Sequence, residues 1–84
     1  MVKVYGKSLC GGCEQAKEYL TKRGIEFEYL PIDHSDSKTR IGYKRELGKL
    51  GNPQYIPVLH YSEDVEVVLI GFDKDKYDDL FGIE

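Results

Sequence analysis

Across its first 23 residues the chain changes period at one pair of cysteines. "VKVY" (2–5) alternates apolar and polar residues, the period of a half-buried strand. From Cys10 to Arg23, Cys13, Ala16, Lys17, Leu20 and Arg23 recur at helical spacing, widened by Tyr19, and Gly24 stands where a helix ends. Cys10 and Cys13 are the only two cysteines, and Gly11 and Gly12 separate them. They therefore fall where a strand gives way to a helix, with Cys10 at the helix N-terminus and Cys13 about one turn inside.

The pattern continues to alternate between the two periods. "IEFEYLPID" (25–33) puts Ile25, Phe27 and Tyr29 on one face and reads as a second strand. Ser35-Asp36-Ser37 offers an N-cap. Tyr43, Leu47 and Leu50 form an i, i+4, i+7 stripe before Gly51-Asn52-Pro53 stops that helix, and Gly42 and Gly48 lower its intrinsic propensity. "PVLHY" and "VEVVLI" read as a hairpin turning at Ser62-Glu63-Asp64. Asp73 caps a last helix that faces Tyr77, Leu80 and Phe81 inward. The order is β-α-β-α-β-β-α. Its first two strands are expected to be parallel through a right-handed crossover, and its last two antiparallel. That is an α/β fold, a mixed four-stranded sheet flanked by three helices, in a single domain spanning 1–84.

Composition narrows the function. Of 84 residues about 40% are apolar, enough for one modest core, and the net charge is −3, which argues against a phosphate-backbone binder. The longest apolar run, Val67 to Ile70, is too short to cross a bilayer. No basic region, apolar segment and cleavage site follows Met1 in the manner of a signal peptide. We expect a cytoplasmic monomer that binds neither nucleic acid nor membrane.

The two cysteines admit three readings. A structural zinc needs about four ligands; beyond the pair only His34 and His60 are on offer, without paired spacing, so no metal site is expected. A structural disulfide would close a loop too small to constrain the unfolded chain much. A redox pair suits the position. Residues three apart on a helix share a face. Free N–H groups of the first turn and the helix dipole stabilise a thiolate at Cys10, and such settings lower a cysteine pKa from about 8.5 to roughly 3.5–7.5. Cys10 is then the attacking nucleophile and Cys13 the resolving thiol. Lys7 adds positive charge near the sulfur, and Glu14 opposes it. Gly11 and Gly12 each cost a helix about 1 kcal/mol against alanine. In exchange they leave open backbone and room for a bulky partner beside the sulfur.

Three blocks resemble the glutaredoxin family, and in this order and spacing they span nearly the whole chain. "VYGKSLCGGC" resembles its strand, lysine and Cys-x-x-Cys; "QYIPVL" resembles its cis-proline segment; "LIGFDKDKYDDL" resembles its glycine turn and acidic opening of the last helix. The resemblance implies a thioredoxin-like fold and a thiol–disulfide oxidoreductase, with no bound cofactor and glutathione as cosubstrate. It implies a cis peptide at Ile56-Pro57 beside the disulfide, with Ile56 offering backbone to an extended substrate and Tyr55 near the cleft. Gly71, Phe72 and Asp73 match the turn that holds the γ-glutamyl end of glutathione, Lys7 matches the residue that meets its glycine carboxylate, and Gly12 lines the groove. The spacer departs from the family's usual Pro-Tyr, and paired glycines of the last block are reduced to Gly71 followed by Phe72. That "GF" pattern is closer to the glutaredoxin-like electron donors of ribonucleotide reductase, which thioredoxin reductase recharges. Three functions follow as alternatives: reduction of protein disulfides or glutathione mixed disulfides, dedicated electron donation to ribonucleotide reductase, and glutathione-dependent carriage of an iron–sulfur cluster.

The remaining residues have plainer readings. His34 reads as surface and His60 as an ordinary strand residue. The seven tyrosines read as core edges and half-buried faces, Lys22-Arg23 as complements of a helix dipole, and Asp73 to Asp79 as a solvated helix face.

Overall fold

The structure, a computed structural model, describes residues 1–51 and 53–82. Seven elements follow in the expected order: β1 (Val2–Gly6), α1 (Gly11–Lys22), β2 (Glu28–Pro31), α2 (Ser37–Lys49), β3 (Val58–Ser62), β4 (Glu66–Ile70) and α3 (Lys74–Phe81). The strands lie side by side as β2-β1-β3-β4. β1 runs parallel to β2, with Val4 opposite Tyr29, and antiparallel to β3, with Val4 opposite Leu59. β3 and β4 form the antiparallel hairpin. None of the helices is long and apolar enough to cross a membrane, among the described residues.

Alternation along the strands divides the core in two. Val2, Val4 and Leu59 join Ala16, Tyr19 and Leu20 of α1 and Tyr77 of α3 on one face. Tyr5 and Val58 point the other way and meet Leu30 and Leu47, with Tyr43, Leu50, Ile56 and Val68 packed around them. The sheet is therefore a middle layer between α1 with α3 and α2. α2 is continuous over 13 residues despite Gly42 and Gly48. Its Tyr43, Leu47, Leu50 stripe meets the sheet as the spacing predicts. Asp36 caps it by accepting from Thr39 N–H at 3.0 Å and Thr39 Oγ1 at 2.7 Å, contacts that hold the Asp36 carboxyl below its ordinary pKa. Of the stop signal Gly51-Asn52-Pro53, Asn52 lies outside the described residues.

The second strand is shorter than its alternation suggests, starting at Glu28 instead of Ile25. The end of α1 explains why. Gly24 adopts φ +67, Ile25 N–H donates to Leu20 O at 3.0 Å, and Gly24 N–H donates to Thr21 O at 3.1 Å. This is a Schellman closure, which uses the Ile25 donor to finish the helix instead of starting a ladder. Ile25, Phe27 and Tyr29 still face the α1 side of the core.

The tyrosines are more central than edge residues. Tyr5, Tyr19 and Tyr77 are buried. Tyr77 meets Phe72 edge-on at 4.9 Å and Tyr19 at 5.3 Å between ring centroids. Tyr19 Oη donates to Asp78 Oδ1 at 2.5 Å, so the acidic run is not wholly a solvated face. Arg23 lies over the Tyr19 ring at 3.7 Å, a contact beyond its place near the helix C-terminus. The Tyr77 hydroxyl is buried with no hydrogen-bond partner among the described residues, and burial pushes its pKa up to about 12. An unpaired buried hydroxyl costs about 1–3 kcal/mol. Tyr77→Phe is therefore expected to stabilise the fold by about 1 kcal/mol, raising the melting temperature in a thermal scan by about 4–8 °C.

His34 departs from its surface reading. It is half-buried, its ring sits edge-on to Tyr43 at 6.3 Å, and its Nδ1 accepts from Asp36 N–H at 3.0 Å. His60 is a strand residue opposite Lys3 and Val68, with Nε2 3.7 Å from Glu66.

Candidate functional site

A short loop carries the chain from β1 into α1. At its end Cys10 is the N-cap of α1: the Cys13 N–H donates to Cys10 Sγ at 3.2 Å, and Glu14 N–H donates to Cys10 O at 3.2 Å. Cys10 and Cys13 are joined as a disulfide, their Cα atoms 5.2 Å apart. Cys10 is partly exposed, whereas Cys13 has no exposed surface. The two sulfurs thus differ in access, and the accessible one accepts the Cys13 N–H of the first turn.

The loop before Cys10 is fixed from below. Ser8 donates through both its N–H, at 3.0 Å, and its hydroxyl to Asp33 Oδ2, and these bonds hold the Asp33 carboxyl below its ordinary pKa. Leu9 follows with φ 57, in the left-handed region that bulky side chains rarely adopt, and its side chain is fully exposed at 104%. Lys7 is exposed, and its carbonyl accepts from Tyr29 Oη at 3.3 Å. Glu14, the acid expected to oppose a thiolate, is paired with Lys17 at 3.0 Å, which offsets its charge.

The other side of the site comes from the loop before β3 and the turn after β4. Ile56-Pro57 is cis. Gly71 N–H donates to Pro57 O at 2.8 Å and ties the two segments together. A Cβ on Gly12 would lie 3.1 Å from Pro57 Cδ and 3.9 Å from Phe72 Cβ. Gly12, Pro57 and Phe72 therefore meet beside the sulfurs. This corrects the reading of both spacer glycines as room for a partner. Nothing lies within 4 Å of the position a Gly11 Cβ would take, so Gly11 is open, but Gly12 is a close-packing residue. Ile56 turns its side chain into the α2-side core. Tyr55 is 73% exposed. Asp73 uses its carboxylate to cap α3, accepting from Asp75 N–H at 3.0 Å and Lys76 N–H at 3.4 Å.

Gly6, Leu9, Tyr29 and Asp33 lie beside this site and are not singled out for it by the sequence. A Cβ on Gly6 would lie 2.5 Å from Tyr29 Oη, 2.9 Å from Tyr29 Cε1 and 2.9 Å from Cys13 Sγ. The end of β1 thus needs glycine because a sulfur and a phenol occupy the space. Among the described residues, no group of three or more His, Cys, Asp or Glu is placed to hold a metal ion.

Comparison with known proteins agrees with this geometry. The curated protein Glutaredoxin 3 of Escherichia coli is 38% identical over 53 residues, which is 63% of this chain and 63% of that protein. The chain thus matches under two thirds of that relative's length. The crystal structure of a glutaredoxin from Archaeoglobus fulgidus superposes with a TM-score of 0.77 at 26% identity, covering 95% of this chain and 84% of that one. The NrdH-redoxin of E. coli shares the fold alone, with a TM-score of 0.70 at 23% identity over 94% of this chain and 92% of that one. The fold is thioredoxin-like. With the glutaredoxin family model matching residues 2–65, from β1 through the Cys10-Cys13 pair to the β3–β4 turn, the chain belongs to the glutaredoxin family.

Proposed function

We propose that the protein is a thiol–disulfide oxidoreductase in which Cys10 attacks and Cys13 resolves. The observation that carries this reading is the Cys13 N–H donating to Cys10 Sγ at the N-terminus of α1. In the reduced protein that donor and the helix dipole stabilise a Cys10 thiolate. The thiolate attacks one sulfur of a target disulfide; that S–S bond breaks and its electron pair leaves with the other sulfur. Cys13 then attacks Cys10 Sγ, releases the bound sulfur as a thiolate, and leaves the Cys10–Cys13 disulfide. Two electrons pass from the protein to the target.

The substrates are protein disulfides or glutathione mixed disulfides. Exposed Leu9 before Cys10, exposed Tyr55 before the proline segment, and open space over Gly11 favour an extended apolar chain lying across the sulfur. The backbone of Ile56 borders the same groove and suits strand-like pairing. Lys7 is free to meet the glycine carboxylate of glutathione, and the backbone of Gly71 and Phe72, with Asp73, receives its γ-glutamyl end.

A second reading is supported by Gly71-Phe72, the pattern of the ribonucleotide-reductase donors, and by the fold shared with an E. coli NrdH-redoxin described as glutaredoxin-like with a thioredoxin-like activity profile. One assay separates the two. With a mixed disulfide of glutathione as substrate, NADPH oxidation is measured with glutathione plus glutathione reductase, and separately with thioredoxin reductase. We expect turnover with the first system. Turnover only with thioredoxin reductase establishes the second reading, and none with either refutes both.

A further inference from the structure

Cys13 poses a problem that the disulfide hides. Its sulfur has no exposed surface, yet to resolve a mixed disulfide it must lose a proton and carry negative charge where it lies. A buried thiolate without a hydrogen-bond donor is costly. The space around the sulfur is shaped by Gly6, which leaves room shared by Cys13 Sγ and the Tyr29 hydroxyl, 2.9 and 2.5 Å from the position of its absent Cβ. Tyr29 stands on β2, half-buried, and reaches under α1 to this point.

We propose that Tyr29 is a positioning residue for resolution: its hydroxyl turns from the Lys7 carbonyl to the Cys13 sulfur and donates a hydrogen bond to the thiolate. The inference rests on the exchange mechanism above. A phenol has one proton to donate. In the disulfide form it is spent on Lys7 O in a long contact of 3.3 Å, which is cheap to give up. Once Cys13 is a thiolate, charge makes it the stronger acceptor. The charged groups facing the phenol are Lys17 and Glu14 from α1 and Asp33 from the loop after β2. Lys17 Nζ stands 4.2 Å from the ring centroid, and Glu14 is paired with Lys17. Asp33 is engaged by Ser8. Burial raises the Tyr29 pKa, so the phenol keeps the proton it donates at neutral pH.

In the step itself the Cys13 proton goes to water, the Cys13 electron pair forms the bond to Cys10 Sγ, and the bond from Cys10 to the target sulfur breaks. Its pair leaves with that sulfur, which takes a proton from water. Tyr29 transfers no proton.

Tyr29→Phe keeps the ring under Lys17 and removes only the donor. In a Cys10→Ser background, the thiolate absorbance of Cys13 is titrated with and without Tyr29→Phe. The Cys13 midpoint is expected to rise by about one pH unit. In the dithiol protein, decay of the Cys10–glutathione mixed disulfide at neutral pH is expected to slow roughly tenfold, and its pH profile to move up with the midpoint. In a Cys13→Ser background, the effect of Tyr29→Phe on formation of the mixed disulfide measures what its bond to the Lys7 carbonyl contributes, and the slowing of resolution is expected to exceed it. A lower melting temperature with an unmoved Cys13 midpoint and resolution rate overturns the inference and assigns Tyr29 a packing role. The exchange mechanism fails separately, if Cys10→Ser retains exchange.

Discussion

Cys10→Ser reduces disulfide exchange to the rate of free thiols in solution, while Cys13→Ser blocks dithiol reduction of protein disulfides and spares reactions that stop at a glutathione mixed disulfide. The two outcomes differ because the two sulfurs sit differently. Cys10 is partly exposed and caps α1, with the Cys13 N–H pointing at its sulfur. Serine there cannot supply a thiolate, and the one thiol that remains, Cys13, has no exposed surface with which to replace it. Cys13 is wholly buried and can reach a single electrophile, Cys10 Sγ. Without it the first attack proceeds, and the intermediate then waits for an external thiol. Reduction of an insulin disulfide and deglutathionylation of a peptide, measured for both variants, check the split.

Gly6→Ala destabilises the oxidised protein by roughly 1–3 kcal/mol, the usual cost of overpacking a close-packed site, which lowers the melting temperature by about 4–8 °C per kcal/mol. The new methyl would meet Tyr29 Oη at 2.5 Å and Cys13 Sγ at 2.9 Å. The tyrosine can swing its far end aside. The sulfur cannot, because the disulfide to Cys10 holds it and Cys13 has no exposed surface. Tyr29→Phe added to Gly6→Ala removes the nearest clash and leaves Tyr29 Cε1 and Cys13 Sγ in place, each at 2.9 Å. The double variant should therefore recover only part of the loss, and the two effects should not add. Thermal unfolding of the wild type, both single variants and the double variant measures this directly.

What was legible in the sequence was what local periodicity encodes. The switch from alternation at 2–5 to helical spacing after Cys10 places the sulfurs at a strand–helix junction. The Tyr43, Leu47, Leu50 stripe and the Ser62-Glu63-Asp64 turn place α2 and the hairpin. What was not legible depends on residues far apart in the chain. Alternation through Ile25 and Phe27 suggests strand, but the Gly24 closure claims the Ile25 N–H first. Gly12 looks like open space until Pro57 packs on it, 45 positions later in the chain. Gly6 stands unremarked within the first block and Tyr29 within an alternating strand; their importance follows from the Cys13 sulfur and the Tyr29 ring closing on the end of β1. Leu9 gives no sign in sequence that it will stand exposed in a left-handed conformation beside the nucleophile.

The division of labour between the sulfurs is tested most directly by the pH dependence of alkylation. The fully reduced protein is treated with a small excess of iodoacetamide from pH 4 to 9, and each cysteine-containing peptide is quantified by mass. Cys10 is expected to react first, with a midpoint clearly below the ordinary cysteine value of about 8.5, while Cys13 stays protected until the protein is unfolded. Faster modification of Cys13, or no reaction of Cys10 until the pH reaches that ordinary value, would contradict the assignment.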